Sequence, residues 1–152
     1  EICMASIWHT IPDLKYINQY ILSGTIDSHL GISMTVVGED FLSATMPADA
    51  RTFQPSGIIH GGANVVLAET LGSTAGYHVI DRDFQQCRGQ DISATHLRPV
   101  SEGIVTGTTR PIHLGRRSHV WEIELRNSAG KLTCVARLIL AIVEKSKDKV
   151  FG

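Results

Sequence analysis

Apolar residues fall at two spacings along this chain, and the change from one to the other marks its elements. Leu14, Ile17, Tyr20 and Ile21 recur at helical spacing. They predict a helix over 10–22, with Thr10 as its cap, Pro12 in its first turn and Ser23-Gly24 at its end. Residues 30–37 and 41–46 read as two strands joined as a hairpin at Gly38-Glu39-Asp40. A loop over 48–60 leads into a second helix, which runs from Ala63 to about Tyr77. Asp81 to Asp83 forms a polar turn after it. Four strands follow at about 90–98, 103–112, 117–126 and 131–143, separated by turn residues such as Asn127-Ser128-Ala129-Gly130. Trp121, Ile123 and Leu125 alternate with Glu122 and Glu124, so one face of that strand is buried and one is wet. Leu132 to Val143 is apolar at nearly every position except Thr133 and Arg137. That suits burial on both faces or a subunit contact, with Arg137 in a structural ion pair.

A strand pair, one long helix and four antiparallel strands make an α+β domain over 7–143, with 1–6 and 144–152 as frayed extensions. Ala68, Gly72, Ala75 and Gly76 leave the helix a narrow face on which strands or another helix can approach closely. The 152 residues suffice for one domain with a real core, and 43% apolar with 19% charged residues excludes a disordered chain. A net charge of −1 gives no bulk attraction to nucleic acid or an acidic membrane surface. With no leader and no run long enough to span a bilayer, the expected location is the cytoplasm, away from membranes. Cys3, Cys87 and Cys134 are odd in number and lack metal-ligand spacing, so they are expected as free thiols.

The chemistry gathers between Gln54 and Ser73. Pro55 and Gly57 punctuate a loop, and His60-Gly61-Gly62 brings bare backbone to the start of the long helix. Free N–H groups and the positive end of the helix dipole there can hold an oxyanion. Glu69 follows within a run of apolar and small residues, where a carboxylate is costly without a partner or a task. Together these suggest an acyl-transfer site. Glu69 lies eight residues after Gly61, roughly 10 Å or more along the axis. It therefore cannot easily serve the oxyanion site of its own helix. A second helix, antiparallel across a two-fold axis, would bring Glu69 of one subunit to Gly61 of the other, which predicts a homodimer with shared sites. In that scheme the Gly61 N–H polarises a carbonyl, and Glu69 is the nucleophile or the general base on water. Ser73, at i+4, steadies Glu69, while His60 and Gln54 position the substrate and water. The plainer readings are a partnered core acid at Glu69, a capping His60, a loop-binding Gln54 and a merely small Ser73. His60, Glu69 and His96 are zinc-ligand types but lack close ligand spacing, and no metal is expected. His9, His29, His78 and His119 stand outside any motif and read as structural.

The run through Arg51-Thr52, Gln54-Pro55, His60-Gly61-Gly62-Ala63 and Leu67-Ala68-Glu69-Thr70-Leu71-Gly72-Ser73 strongly resembles the hotdog-fold acyl-CoA thioesterases. The likeness is strongest to bacterial hydroxybenzoyl- and dihydroxynaphthoyl-CoA thioesterases and to the proofreading thioesterase of enterobactin synthesis. Ala94 to Gly103, Pro111 to Arg116 and Val120 to Glu124 match the same subgroup, so the resemblance spans about Ile7 to Val143. It implies a hotdog fold, hydrolysis of an aromatic or medium acyl thioester, and the roles above at Gln54, His60, Gly61 and Glu69. It also implies a dimer of dimers. Coenzyme A would be part of the substrate, with no separate cofactor. Its phosphates need cations, for which His96, Arg98, His113, Arg116 and Arg117 are the candidates, with His96 and Arg98 sharing a strand face near the nucleotide end. The acyl pocket is expected to include Val65, Leu67, Ser73, Thr74 and Tyr77. Asn64 replaces a smaller residue of the subgroup. An acyl carrier protein as thiol carrier, a hotdog hydratase and a non-catalytic acyl-CoA sensor are the alternatives.

Overall fold

A computed structural model describes residues 6–145 of the chain. The remainder of the two expected extensions, including Cys3, lies outside the described residues. The order of elements is α1 (Leu14–Tyr16), a π-helical turn (Ile17–Ile21), α2 (Ile26–Leu30), β1 (Ser33–Val37), β2 (Leu42–Pro47), α3 (Gly61–Val79), β3 (Gln85–His96), β4 (Ile104–Leu114), β5 (Ser118–Arg126) and β6 (Leu132–Glu144). The strands form one antiparallel sheet in the order β1-β2-β4-β5-β6-β3, and α3 packs across it. This is the predicted α+β arrangement of one long helix held by a sheet.

Its core is the alternation read from sequence, folded onto the helix. Trp121, Ile123 and Leu125 of β5 and Leu138 and Leu140 of β6 are wholly buried against Leu67 and Leu71 of α3. The helix sits close because it is narrow on that side. A Cβ at Gly72 would come within 2.5 Å of Leu138, and one at Gly76 within 2.2 Å of Leu140.

The structure corrects four details. Asp13, not Thr10, caps the first helix, its Oδ1 accepting from the Tyr16 N–H at 3.0 Å. The Thr10 N–H instead donates to the His78 carbonyl, which ties the N-terminal segment to α3. The strand predicted from residue 30 starts at Ser33, because 26–30 form a short helix that Thr25 caps and Gly31 ends at φ 73°. β3 begins at Gln85, five residues early, pairing with the long β6 through a bulge at Gly89–Asp91. Arg137 faces Glu122 in register but makes no ion pair within 4 Å among the described residues.

Burial strips His119 of its charge. It lies 4% exposed on the inner face of β5, edge-on to Trp121. Desolvation, with a smaller contribution from His113, pushes its pKa down to about 4. An unfolded chain binds that proton near pH 6.5 and the folded chain does not, so this stabilisation is complete above pH 6.5 and is lost towards pH 4. The loss should reach about 3 kcal/mol. Urea unfolding from pH 7.5 to 4.5 should therefore fall more steeply on the acid side for wild type than for His119→Gln, and parallel curves would contradict this.

Candidate active site

The loop before α3 is built to aim the start of the helix. Thr52 is buried and its hydroxyl donates to the Pro47 carbonyl at 2.7 Å. The His60 N–H donates to Thr52 and the Ile59 N–H to Val100, fixing the entry of the chain. His60 is the N-cap, its Nδ1 accepting from the Gly62 N–H at 2.8 Å. An Nδ1 that accepts leaves the proton of a neutral ring on Nε2, as a donor. The Ala63 and Asn64 N–H groups donate to the His60 carbonyl. In this first turn only the Gly61 N–H lacks an acceptor among the described residues.

His96 belongs to the same corner. A Cβ at Gly61 would come within 2.9 Å of its Nε2, and its Nδ1 is 3.4 Å from the Asn64 amide nitrogen. Asn64 is 7% exposed and its Oδ1 has no partner among the described residues. The side chain that enlarges this position thus reaches the histidine beside the helix N-terminus.

Glu69 stands more than two turns along α3, on a half-buried flank of the helix beside β3. Ala63, Leu67, Ala68, Leu71, Gly72 and Ala75 turn inward, while Val65, Glu69, Ser73 and Tyr77 stay partly open. The Ser73 hydroxyl donates to Glu69 Oε1 at 3.0 Å. A Cβ at Gly89, in the β3 bulge, would come within 2.6 Å of the same oxygen. Gly89 is thus a site residue that sequence reasoning missed. The signal was a lone glycine inside a strand, which marks a bulge or a close approach.

Ser73, Thr74 and Tyr77 line a cleft of about 580 Å³, together with His78, Ile11, Tyr16, Ile17, Ile21 and Cys87. Leu67, expected in this wall, is instead wholly buried in the core, and Val65 lies outside the cleft lining. Gln54 accepts from the Ser56 N–H through Oε1 at 2.8 Å, so within one chain it braces its own loop.

The five candidate phosphate ligands occupy two ends of the sheet. His96 ends β3, and Arg98, beyond the strand, donates to the Leu132 carbonyl at 2.7 Å. His113, Arg116 and Arg117 lie at the β4–β5 hairpin, whose Ser118 is in register with Ala141, opposite Arg88. Arg88 to His96 spans roughly 25 Å of strand, so the two sets do not meet in one chain. Cys87 and Cys134 are free thiols, both pushed up in pKa by burial. Among the described residues no three His, Cys, Asp or Glu gather as a metal site, and no helix is long and apolar enough to cross a membrane.

Comparison with known proteins bears on this arrangement. Residues 56–134 match the sequence model of the Thioesterase superfamily. The chain is similar to a proofreading thioesterase EntH of Cronobacter sakazakii, 49% identical over 90% of this chain and 98% of that protein. It is also similar to the crystal structures of thioesterase HI1161 from Haemophilus influenzae and of a mutant of thioesterase PA1618 from Pseudomonas aeruginosa. Both are 44% identical, with TM-scores of 0.89 and 0.90, covering 94% and 92% of this chain and 99% and 100% of those chains.

The contact of Gly89 with Glu69 yields a direct test. Gly89→Val should displace the carboxylate and lower kcat at least about 10-fold, for a loss of more than about 1.4 kcal/mol, in a variant that still unfolds cooperatively. Steady-state kinetics beside a melting curve checks it, and full activity in a folded variant would contradict it.

Proposed function

Because the chain belongs to the thioesterase superfamily and is a hotdog-fold thioester hydrolase, we propose that it cleaves an aromatic or medium acyl-CoA thioester in a site shared by two subunits. The observation that carries this reading is the unpaired Gly61 N–H at the start of α3, on the same helix as a Glu69 carboxylate held by Ser73. The Gly61 N–H and the His60 Nε2–H would polarise the thioester carbonyl and receive its developing negative charge, aided by the helix dipole. Glu69 of the partner subunit would attack the carbonyl carbon, or take a proton from the water that does. The C–S bond then breaks: on the general-base route the proton that Glu69 took from water passes to the leaving sulfur, and on the nucleophilic route the sulfur leaves as a thiolate and takes its proton from solvent. If Glu69 attacks, the resulting anhydride is hydrolysed in a second step.

The free edge of β3 supports the pairing. Among the described residues β3 bonds only β6, and Gly89, Gln90 and Asp91 are exposed on it. A long open edge is a template for another strand. Antiparallel pairing of two β3 edges about a two-fold would set the Gly89 end of one subunit, with Glu69 beneath it, against the His96 end of the other, with Gly61 beneath it. The same operation would bring His113, Arg116 and Arg117 of one subunit towards His96 and Arg98 of the other, joining the two sets of phosphate ligands. Gln54 would be released towards the shared site to position water.

A second reading, an acyl group borne by a carrier protein, is favoured by the 49% identity to a protein named a proofreading thioesterase. It shares the chemistry and changes the partner.

Thiol release from benzoyl-, hydroxybenzoyl-, dihydroxynaphthoyl-, phenylacetyl- and straight-chain acyl-CoA tests the proposal with wild type beside Glu69→Ala. Wild type should turn over aryl-CoAs, and the variant should lose at least about 100-fold, or about 2.7 kcal/mol of barrier, while remaining folded. A wild type inert on every CoA ester would contradict CoA as carrier and direct the test to loaded carrier protein.

A further inference from the structure

His78 lines the cleft, and nothing in the chemistry above uses it. It is 9% exposed, and its Nδ1 lies 2.8 Å from the Thr74 carbonyl oxygen one turn back along α3. A carbonyl oxygen only accepts, so Nδ1 carries the ring proton and Nε2 of the neutral ring is a bare lone pair. Burial lowers the ring's pKa, the Thr74 hydrogen bond works against it, and the nearby charge of Arg82 adds a smaller lowering. No group among the described residues hydrogen-bonds Nε2, and it is not among the side-chain atoms sealed from solvent without a partner. His78 lines the cleft, so the cleft is the space that this acceptor serves.

Two charged groups also line the cleft. The Arg82 guanidinium lies over the Tyr77 ring, 4.5 Å from its centroid, and makes no ion pair within 4 Å among the described residues. Asp13 commits Oδ1 to the Tyr16 N–H and keeps Oδ2. Ile11, Ile17 and Ile21 add apolar surface to the wall, beside the hydroxyl-bearing Thr10, Tyr16 and Thr74. A hydrocarbon end placed here would strand an acceptor and a charged donor away from water, at a cost. A carboxylate would meet Asp13. A neutral hydroxyl, which both donates and accepts, answers His78 and Arg82 together. Ser73, the partner of Glu69, lines the same cleft.

We propose that His78 Nε2 accepts a hydrogen bond from a hydroxyl at the far end of an aromatic acyl group, with Arg82 donating to the same oxygen. His78 is then the residue that separates hydroxylated from unsubstituted aryl thioesters. The inference rests on the cleft being the acyl pocket of the function proposed above.

Binding, separated from turnover, tests it. Calorimetry with 4-hydroxyphenacyl-CoA and phenacyl-CoA, which lack a thioester carbonyl and cannot be cleaved, gives an affinity ratio within each protein. That ratio is insensitive to partial loss of folded material. Wild type should favour the hydroxylated analogue by at least about 10-fold. His78→Phe, which keeps a ring beside Tyr77 but has no acceptor, should bring the ratio below about 2, and Arg82→Gln should reduce it in part. A wild-type ratio near one, a preference that survives in His78→Phe, or failure to bind either analogue would each overturn the proposal. Turnover of the acyl-CoA panel is read separately. A high ratio without turnover would defeat the catalytic reading while leaving hydroxyl recognition by His78 standing, and turnover of straight-chain esters with no analogue binding would do the reverse.

Discussion

Leu138 and Leu140 occupy the space that side chains at Gly72 and Gly76 would need, and that contact decides how α3 sits on the sheet. A wider helix would stand off, and the core of Trp121, Ile123, Leu125 and Leu67 would open a gap that close-packed interiors do not tolerate. With the narrow face turned against β6, a flank of the helix beside β3 carries the polar pair. Glu69 and Ser73 lie there, bonded to each other, beneath a strand that comes close only because its nearest residue is Gly89. Packing and chemistry are thus two sides of one helix, and substitutions on one side should be felt on the other.

The same rigid helix sets the limit on what one chain does alone. Gly61 and Glu69 are held apart by more than two turns, and no rotamer of Glu69 spans that distance. A free β3 edge and a partly open helix face lie beside these groups. Pairing two chains through that edge would meet both needs at once, completing the site and covering an exposed strand. It would also assemble a phosphate-binding set from two ends of the sheet that one chain keeps apart.

Much of this was legible in the sequence, because alternation and helical spacing report burial directly. The β5 alternation, the long helix with its small inner residues and the Ser73–Glu69 pair all emerged where the pattern placed them. Other features depend on what packs against them. α2 is too short for a periodic signal and rests on its Thr25 cap and Gly31 stop. The first half of β3 is polar and lacks alternation, and only the length of β6 makes it a strand. Leu67, expected in the pocket wall with Tyr77, instead faces Gly107 of β4, where a Cβ would come within 3.4 Å of it. His78 carries no motif. Its interest arises from a backbone bond that fixes its tautomer and from an arginine four residues on, neither of which a spacing rule reveals.

The central claim is that Glu69 of one subunit works against Gly61 of the other, and complementation tests it most directly. Glu69→Gln and Gly61→Val, each inert alone, are unfolded together, refolded as a mixture and assayed for thiol release. If the site is shared, half of the dimers in an equal mixture are mixed, and each of those regains one of its two sites. Activity should then return to about a quarter of wild type. If the site lies within one chain, every chain in the mixture remains defective. Activity no higher than that of the two parent variants, with mixed dimers demonstrably present, would contradict the account.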